Sequence, residues 1–369
     1  MKIKSYLTIL CLVVLLAACQ KVFVPDIDRA DPALVIEGYL STHTNIQRVL
    51  ISYSSSFGER PSYLKETGAT VYVTDDLGNR FDYYERGPMG VYQTDSAEQV
   101  KGLIGHAYTL HIETKEGDVY ESTPQTIVEC ADPYRLICKP ATEEVLTVDA
   151  YDAPLEVYYD GIEIDLSSRG ILPTGNFYQY DWDAYEEHLT TVNVQASIFY
   201  FYEHRRLSGK YFSVIKTGNA DGISDHTIRD KKILFVAASD MRNFEPNIPD
   251  TLNSLGPVTL FRGLLFQLQQ KSLTPEAYEF WNGAESQLNA SGKLFDPVAS
   301  QINGNIKCVS DSTKAVYGVF TAYDLKNKYA YFYINKSNRT ITETIDSFPE
   351  LVLDTFKMSP PKGWIEPPF

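Results

Sequence analysis

The sequence predicts a mainly β protein in two parts, and three observations carry that expectation. Short runs rich in valine, isoleucine, tyrosine and phenylalanine recur along the chain, punctuated by Gly, Asn and Asp at hairpin spacing. A proline-bearing interval at 131–154 separates one series of runs from the next. Helical periodicity is confined to one stretch, near 275–289. The expected architecture is an N-terminal, immunoglobulin-like β-sandwich over 33–130. A larger, mainly β second domain over 131–369 follows, with the helix packed on it.

The start of the chain, residues 1–18, has the three parts of a secretory signal peptide. Lys2 and Lys4 supply the positive region, Leu7 to Leu16 the apolar one, and small residues precede the cut. Leu16-Ala17-Ala18-Cys19 reads as a lipobox, with cleavage before Cys19 and lipid, palmitate included, on the mature N-terminal cysteine. The apolar run is shorter than the roughly 20 residues of a spanning helix. Each buried methylene contributes about 0.8 kcal/mol, so several acyl chains on Cys19 anchor the body to a membrane. Gln20 stands where an Asp would signal inner-membrane retention, which fits the outer membrane. Either face of that membrane stays open, because the first acids after Cys19 are Asp26 and Asp28. Residues 19–32, with Pro25 and Pro32, read as the lipidated tether.

Strand-like runs begin at Leu34–Leu40 and Arg48–Ser54. Ala69–Glu85 is a hairpin by pattern, with Val71 and Val73 on one face and Asp76-Leu77-Gly78-Asn79 at the turn. Ala107–Thr123 is a second, with Tyr108, Leu110 and Ile112 on one face and the turn at Lys115–Asp118. The interval 131–154 reads as irregular, since it carries Pro133, Pro140 and Pro154. Runs resume at Leu155–Leu166, Phe177–Glu187, Ala196–Glu203, Lys231–Ser239 and Val258–Leu273. Thr274 then caps a helix with Pro275 at its first position, and Ala277, Phe280, Trp281, Ala284 and Leu288 form its apolar stripe. Gly292 is placed to close it. Lys314–Tyr323 and Lys328–Asn335, around Asp324-Leu325-Lys326-Asn327, read as a last hairpin.

The net charge of −15 becomes more negative once the signal peptide, with its two lysines, is removed. Such a surface repels phosphates, which argues against nucleic acid as a partner. Three cysteines remain in the mature body: Cys130, Cys138 and Cys308. Cys130–Cys138 is the easiest disulfide by loop length, though Cys308 could replace either, and three buried thiols are the equal alternative. No cofactor motif is present, and the histidines lack metal-ligand spacing.

These pieces, in this order, resemble a family of outer-membrane lipoproteins from Bacteroidota catalogued as domain of unknown function 4249. The stretches LVIEGYL, GATVYVTDDLGN, GVYQTD and IGHAYTLHIETKEGDVYES carry the resemblance in the first half. GNFYQYDWDAYEE, LTPEAYEFWNG and GKLFDPVASQINGNIKCVSDSTKAVYGVFTAY carry it in the second. The resemblance implies association with a TonB-dependent receptor of the SusC type and no enzyme activity.

No catalytic constellation stands out. Asp181, Asp183, Glu186 and Glu187 cluster beside aromatic residues, and paired carboxylates about 5–9.5 Å apart would suit glycoside hydrolysis. An acid-rich loop on an acidic protein is the simpler account. Glu37, between apolar neighbours, is expected to be an exposed edge-strand glutamate or one bonded to backbone, since a buried one needs a partner. The 26 tyrosines and three tryptophans raise a binding hypothesis. Tyr180, Trp182 and Tyr185 are the expected ligand or partner surface, and Trp281 is assigned to the core. The function expected is therefore a non-enzymatic accessory or ligand-binding subunit beside a TonB-dependent transporter. The alternatives are an independent surface adhesin or glycan-binding module, with a glycan or peptide ligand, and, behind these, an envelope hydrolase using the Asp181–Glu187 cluster.

Overall fold

The structure is a computed structural model, and it describes residues 32–43, 46–54, 64–95, 100–131, 133–148, 153–168, 176–192, 197–205, 212–216, 231–237, 259–289, 301–334 and 340–345. Cys19, the signal peptide and the tether through residue 31 lie outside the described residues, as does Gly292. Among the described residues no helix is long and apolar enough to cross a membrane.

The first half forms β1 (Leu34–Ser41), β2 (Arg48–Tyr53), β3 (Thr70–Asp75), β4 (Arg80–Glu85), β5 (Val91–Gln93), β6 (Ala107–Glu113), β7 (Val119–Ser122) and β8 (Gln125–Thr126). Both predicted hairpins form: β3 pairs antiparallel with β4, and β6 with β7. The first turn is fixed by Asp75, whose Oδ1 accepts from the N–H groups of Leu77 (3.0 Å) and Asn79 (2.8 Å). Gly78 supplies the left-handed φ of +85° that this turn requires.

The second half forms β9 (Pro133–Val148), β10 (Pro154–Ser168), β11 (Phe177–Val192), β12 (Ser197–Arg205), β13 (Phe212–Lys216), β14 (Lys231–Ala237) and β15 (Thr259–Leu273). Helix α1 (Pro275–Leu288) follows, then β16 (Ile306–Cys308), β17 (Val316–Tyr323), β18 (Leu325–Ile334) and β19 (Thr340–Ile345). Two expectations are corrected here. The interval 131–154 is mostly strand, because β9 is the outer strand of the order β14-β10-β9 and an edge tolerates Pro140, which has no N–H to donate. Pro154 opens β10, where a strand also accepts proline.

The larger correction concerns β16 and β17. They complete the first half's ten-stranded sheet, whose order is β16-β7-β6-β3-β4-β5-β2-β1-β17 with β8 on β6. β17 runs parallel to β1, so the strands pair across the boundary expected at 130. The last predicted hairpin does not form, since β17 pairs with β1 while β18 pairs with β15. The chain crosses between sheets at Asp324, and the side chain of that residue explains why. Asp324 is buried; its Oδ1 accepts from Thr42 Oγ1 at 2.6 Å and its Oδ2 from the Cys130 N–H at 2.9 Å. Its own N–H donates to Ser272 Oγ at 3.0 Å. The carboxylate thus ties β1's exit to the linker, and the backbone N–H of the same residue adds β15.

The sheet's two ends are closed by a side chain. Asn305, buried just before β16, donates from Nδ2 to the Phe320 carbonyl at 2.8 Å and accepts at Oδ1 from the Phe320 N–H at 2.9 Å. The amide thereby stands in for a strand neighbour. Gly304 and Gly318 permit the approach, because a Cβ on Gly304 would sit 1.7 Å from the Gly318 carbonyl oxygen. Inside lie Ile36, Leu40, Val49, Ile51, Val73, Leu110 and Phe320, contributed by alternate residues of their strands.

The other two sheets, β14-β10-β9 and β12-β11-β15-β18-β19 with β13 on β11, face each other across a second core. Ile162, Ile164 and Leu166 from β10 meet Tyr178, Tyr180, Phe266 and Leu268 there. Helix α1 begins as expected, with Thr274 Oγ1 accepting from the Ala277 N–H at 3.2 Å. Its Ala277, Phe280, Trp281 and Ala284 pack against Phe212, Val214, Leu273 and Val319, while Leu288 is 61% exposed, at the fraying end of the stripe. Cys130, Cys138 and Cys308 are all buried thiols, so the Cys130–Cys138 bridge is not formed. Cys130 Sγ is engaged by Gln270, whose Nε2 lies 3.2 Å away, and Cys138 sits within β9 opposite Ile164.

Candidate functional site

Strand alternation sends Ile36, Gly38 and Leu40 of β1 into the first core and leaves Val35, Glu37 and Tyr39 facing outward. The neighbouring β17 is in register, with Tyr39 beside Thr321, and it presents Thr321 and Tyr323 on the same side. Against this face stands the outer face of β11 and β15, where Gln179 and Lys271 are opposite one another and Asp181 lies one step along. Trp281 of α1 and Phe212 of β13 close one end. Between them is a cleft of about 270 Å³, near the lower end of small-ligand sites.

Its electrostatic centre is the ion pair of Lys271 Nζ with Asp181 Oδ2. Gln179 Nε2 donates to the other carboxylate oxygen at 2.9 Å, so Asp181 is held on both oxygens. Lys271 also lies over the Tyr323 ring, 5.0 Å from its centroid, and Tyr39 and Tyr323 face each other at 6.3 Å. Burial works against the Lys271 ammonium, yet the field of Tyr323 and Asp181 holds its pKa above the ordinary lysine value. Burial pushes Tyr323 up to about 12, against the opposing pull of Lys271. Glu37 keeps contact with solvent but is still desolvated by the surrounding wall, which raises its pKa; Lys271 opposes the rise and Asp181 adds to it. Glu37 is exposed as expected, but on an inner strand flanked by β2 and β17 and not at an edge.

Among the described residues, two polar atoms of lining residues are buried without a hydrogen-bond partner, Thr321 Oγ1 and Trp281 Nε1. Buried polar atoms are usually satisfied, and leaving one unpaired costs about 1–3 kcal/mol. Two carboxylates, an ammonium and four aromatic rings thus line one cleft, a mixed polar and aromatic wall suited to holding a small polar molecule.

The surface expected from Tyr180, Trp182 and Tyr185 is not assembled. Tyr180 is fully buried in the second core, and Trp182 packs against that core from the same strand face. Tyr185 lies on the Asp181 face but is buried further along β11, away from the cleft lining. The period of two explains this: Tyr180 and Trp182 point toward β10, and Asp181 between them points the other way. Asp181 and Asp183 share one face of β11 by the same alternation, and among the described residues of the run only Asp181 lines the cleft. Asp181 enters the cleft, Asp183 lies opposite Gln267 on the next rung, and the side chains of Glu186 and Glu187 lie outside the described residues. The tryptophan that lines the cleft is Trp281. Lys271, Thr321 and Tyr323 escape sequence reading, although a lysine closing the polar run Gln267–Lys271 within an apolar strand is a signal that could be followed.

Residues 20–328 match the model of the family described as Domain of unknown function (DUF4249). No curated protein and no solved structure matches the chain.

Proposed function

This chain belongs to the DUF4249 family, and from that premise we propose that it is a lipid-anchored outer-membrane protein that captures a small polar ligand beside a TonB-dependent transporter of the SusC type. The observation that carries capture is the cleft itself, where Glu37, Asp181 and Lys271 stand among Tyr39, Phe212, Trp281 and Tyr323. Binding is favoured over turnover because Asp181 is already engaged on both oxygens by Lys271 and Gln179. The Leu16-Ala17-Ala18-Cys19 sequence supports the lipid anchor, and Gln20 supports the outer membrane. The anchor would hold the cleft near the transporter at high effective concentration, so a modest affinity suffices for delivery.

The test is a pull-down of the tagged protein from outer membranes of its host, solubilised in detergent, with Cys19→Ala as control. The expected result is a TonB-dependent receptor in stoichiometric amount with the wild type and loss of that partner with Cys19→Ala. An empty pull-down from well-folded wild type rejects the transporter role and leaves the independent adhesin or glycan-binding module.

A further inference from the structure

We propose that the cleft holds a small organic cation, an ammonium of single charge seated between the Glu37 carboxylate and the aromatic wall; this deepens the binding reading above and rests on it. The charges argue for the sign. Two carboxylates, Glu37 and Asp181, and one ammonium, Lys271, line the cleft. Lys271 and Asp181 form an ion pair, and Gln179 Nε2 holds the other Asp181 oxygen at 2.9 Å, so that pair is neutral and complete. The charge left over is that of Glu37, whose side chain makes no ion pair or hydrogen bond among the described residues. An anion would face that charge, and to reach Lys271 it would have to displace Asp181. A neutral molecule would cover Glu37 and leave a desolvated carboxylate without a partner, which is costly. A monocation brings the lining to neutrality, and Asp181 offsets the repulsion that Lys271 would otherwise exert on it.

The rings argue for an organic ammonium over a bare metal ion. Tyr39 lies two residues from Glu37, hence on the same outward face of β1, and Phe212, Trp281 and Tyr323 complete the wall. The negative face of an aromatic ring attracts a cation, and its apolar surface accepts the carbon groups that an organic ammonium carries. The cleft already contains one such contact, since Lys271 Nζ lies 5.0 Å from the centroid of the Tyr323 ring. A second ammonium beside Tyr39 and Trp281, both half-buried, would repeat it. A metal ion would need several oxygen ligands, and no group of three metal-ligating side chains is present among the described residues. Desolvation by the wall already raises the Glu37 pKa, and a bound cation would offset that penalty by supplying the missing partner.

The experiment titrates the full-length protein by calorimetry, in amine-free buffer and a detergent without an ammonium or sugar head group. Choline and ethanolamine are the quaternary and primary ammonium probes, acetate the anion and glucose the neutral molecule. Glu37→Gln removes the charge and keeps the shape, Tyr39→Leu removes a ring, and Glu113→Gln removes an exposed carboxylate of β6 outside the cleft lining. Saturable binding of an ammonium probe is expected, weakened about tenfold by Glu37→Gln, about threefold by Tyr39→Leu and unchanged by Glu113→Gln. Either probe supports the assignment: choline marks a site led by the rings, ethanolamine one led by hydrogen bonds to Glu37. Circular dichroism and the melting temperature of Glu37→Gln should match or exceed those of the wild type, which separates lost recognition from lost folding. Four results overturn the assignment: neither ammonium binds, Glu37→Gln binds as the wild type does, Glu113→Gln loses as much as Glu37→Gln, or acetate or glucose binds more tightly than both ammonium probes. Recovery of a receptor in the pull-down with no ammonium binding would overturn this ligand class alone; ammonium binding with an empty pull-down would overturn the transporter role alone.

Discussion

The two cores of this protein treat buried polar groups differently. In the ten-stranded sheet such groups are paired with care. Buried Gln47 accepts from the Ser41 N–H at 2.8 Å and donates to the Val100 carbonyl at 2.9 Å, while Asn305 serves both backbone groups of Phe320. The facing sheets of the second half leave Asp165 Oδ1, Tyr180 Oη, Gln267 Oε1 and Asn327 Oδ1 buried without partners among the described residues. In the ten-stranded sheet Tyr83 Oη and Thr321 Oγ1 share that condition among the described residues. Each orphaned group costs about 1–3 kcal/mol. The first region therefore satisfies more of its buried polar groups, and the second carries more orphaned ones at some loss of stability. The cleft lies where the two meet, and its lining is drawn from both.

The contrast can be broken most severely at Gly318. Its φ is +108°, and a Cβ there would sit 1.8 Å from the Ile36 carbonyl oxygen. Gly318→Ala should force β17 off β1 and cost more than about 4 kcal/mol, read as a lower urea midpoint. A wild-type midpoint would mean that this close approach does not hold the sheet. Asn305→Leu comes next. It strands the Phe320 N–H and C=O, and a loss of about 3 kcal/mol is expected in the same assay.

A matched pair sharpens the comparison at smaller scale. Tyr108 Oη accepts from the Leu103 N–H at 2.8 Å in the first core, whereas Tyr180 Oη in the second has no partner among the described residues. Tyr108→Phe should destabilise by about 1 kcal/mol and Tyr180→Phe should be neutral or stabilising, so one chemical change gives opposite signs in the two regions. Equal losses would remove the distinction. The smallest effect belongs to Glu37, whose folded pKa is raised. Below the ordinary glutamate pKa both states are protonated and the group costs nothing. As pH rises through the raised folded value, the wild type loses stability that Glu37→Gln keeps. The melting temperature of Glu37→Gln relative to wild type should climb from acidic to neutral pH, modestly, since the side chain is exposed.

The sequence by itself determined what neighbouring residues can settle among themselves. The β3–β4 and β6–β7 hairpins are written in alternation and in turn residues a few positions apart, and α1 in Thr274, Pro275 and a 3.6-residue stripe. Only the tertiary structure decided that Thr42 and Asp324, 282 positions apart, would meet, so that a tetrapeptide with turn composition became a crossing between sheets. It also decided that Pro140 lies on an edge strand, that β17 runs beside β1, and that Trp281 and not Trp182 lines the cleft. Alternation says that two faces of a strand differ, but not which sheet each will meet. That choice belongs to long-range pairing, where the burial of whole faces outweighs any local preference, and a cleft assembled from β1, β11, β15, β17 and α1 exists only once that pairing is made.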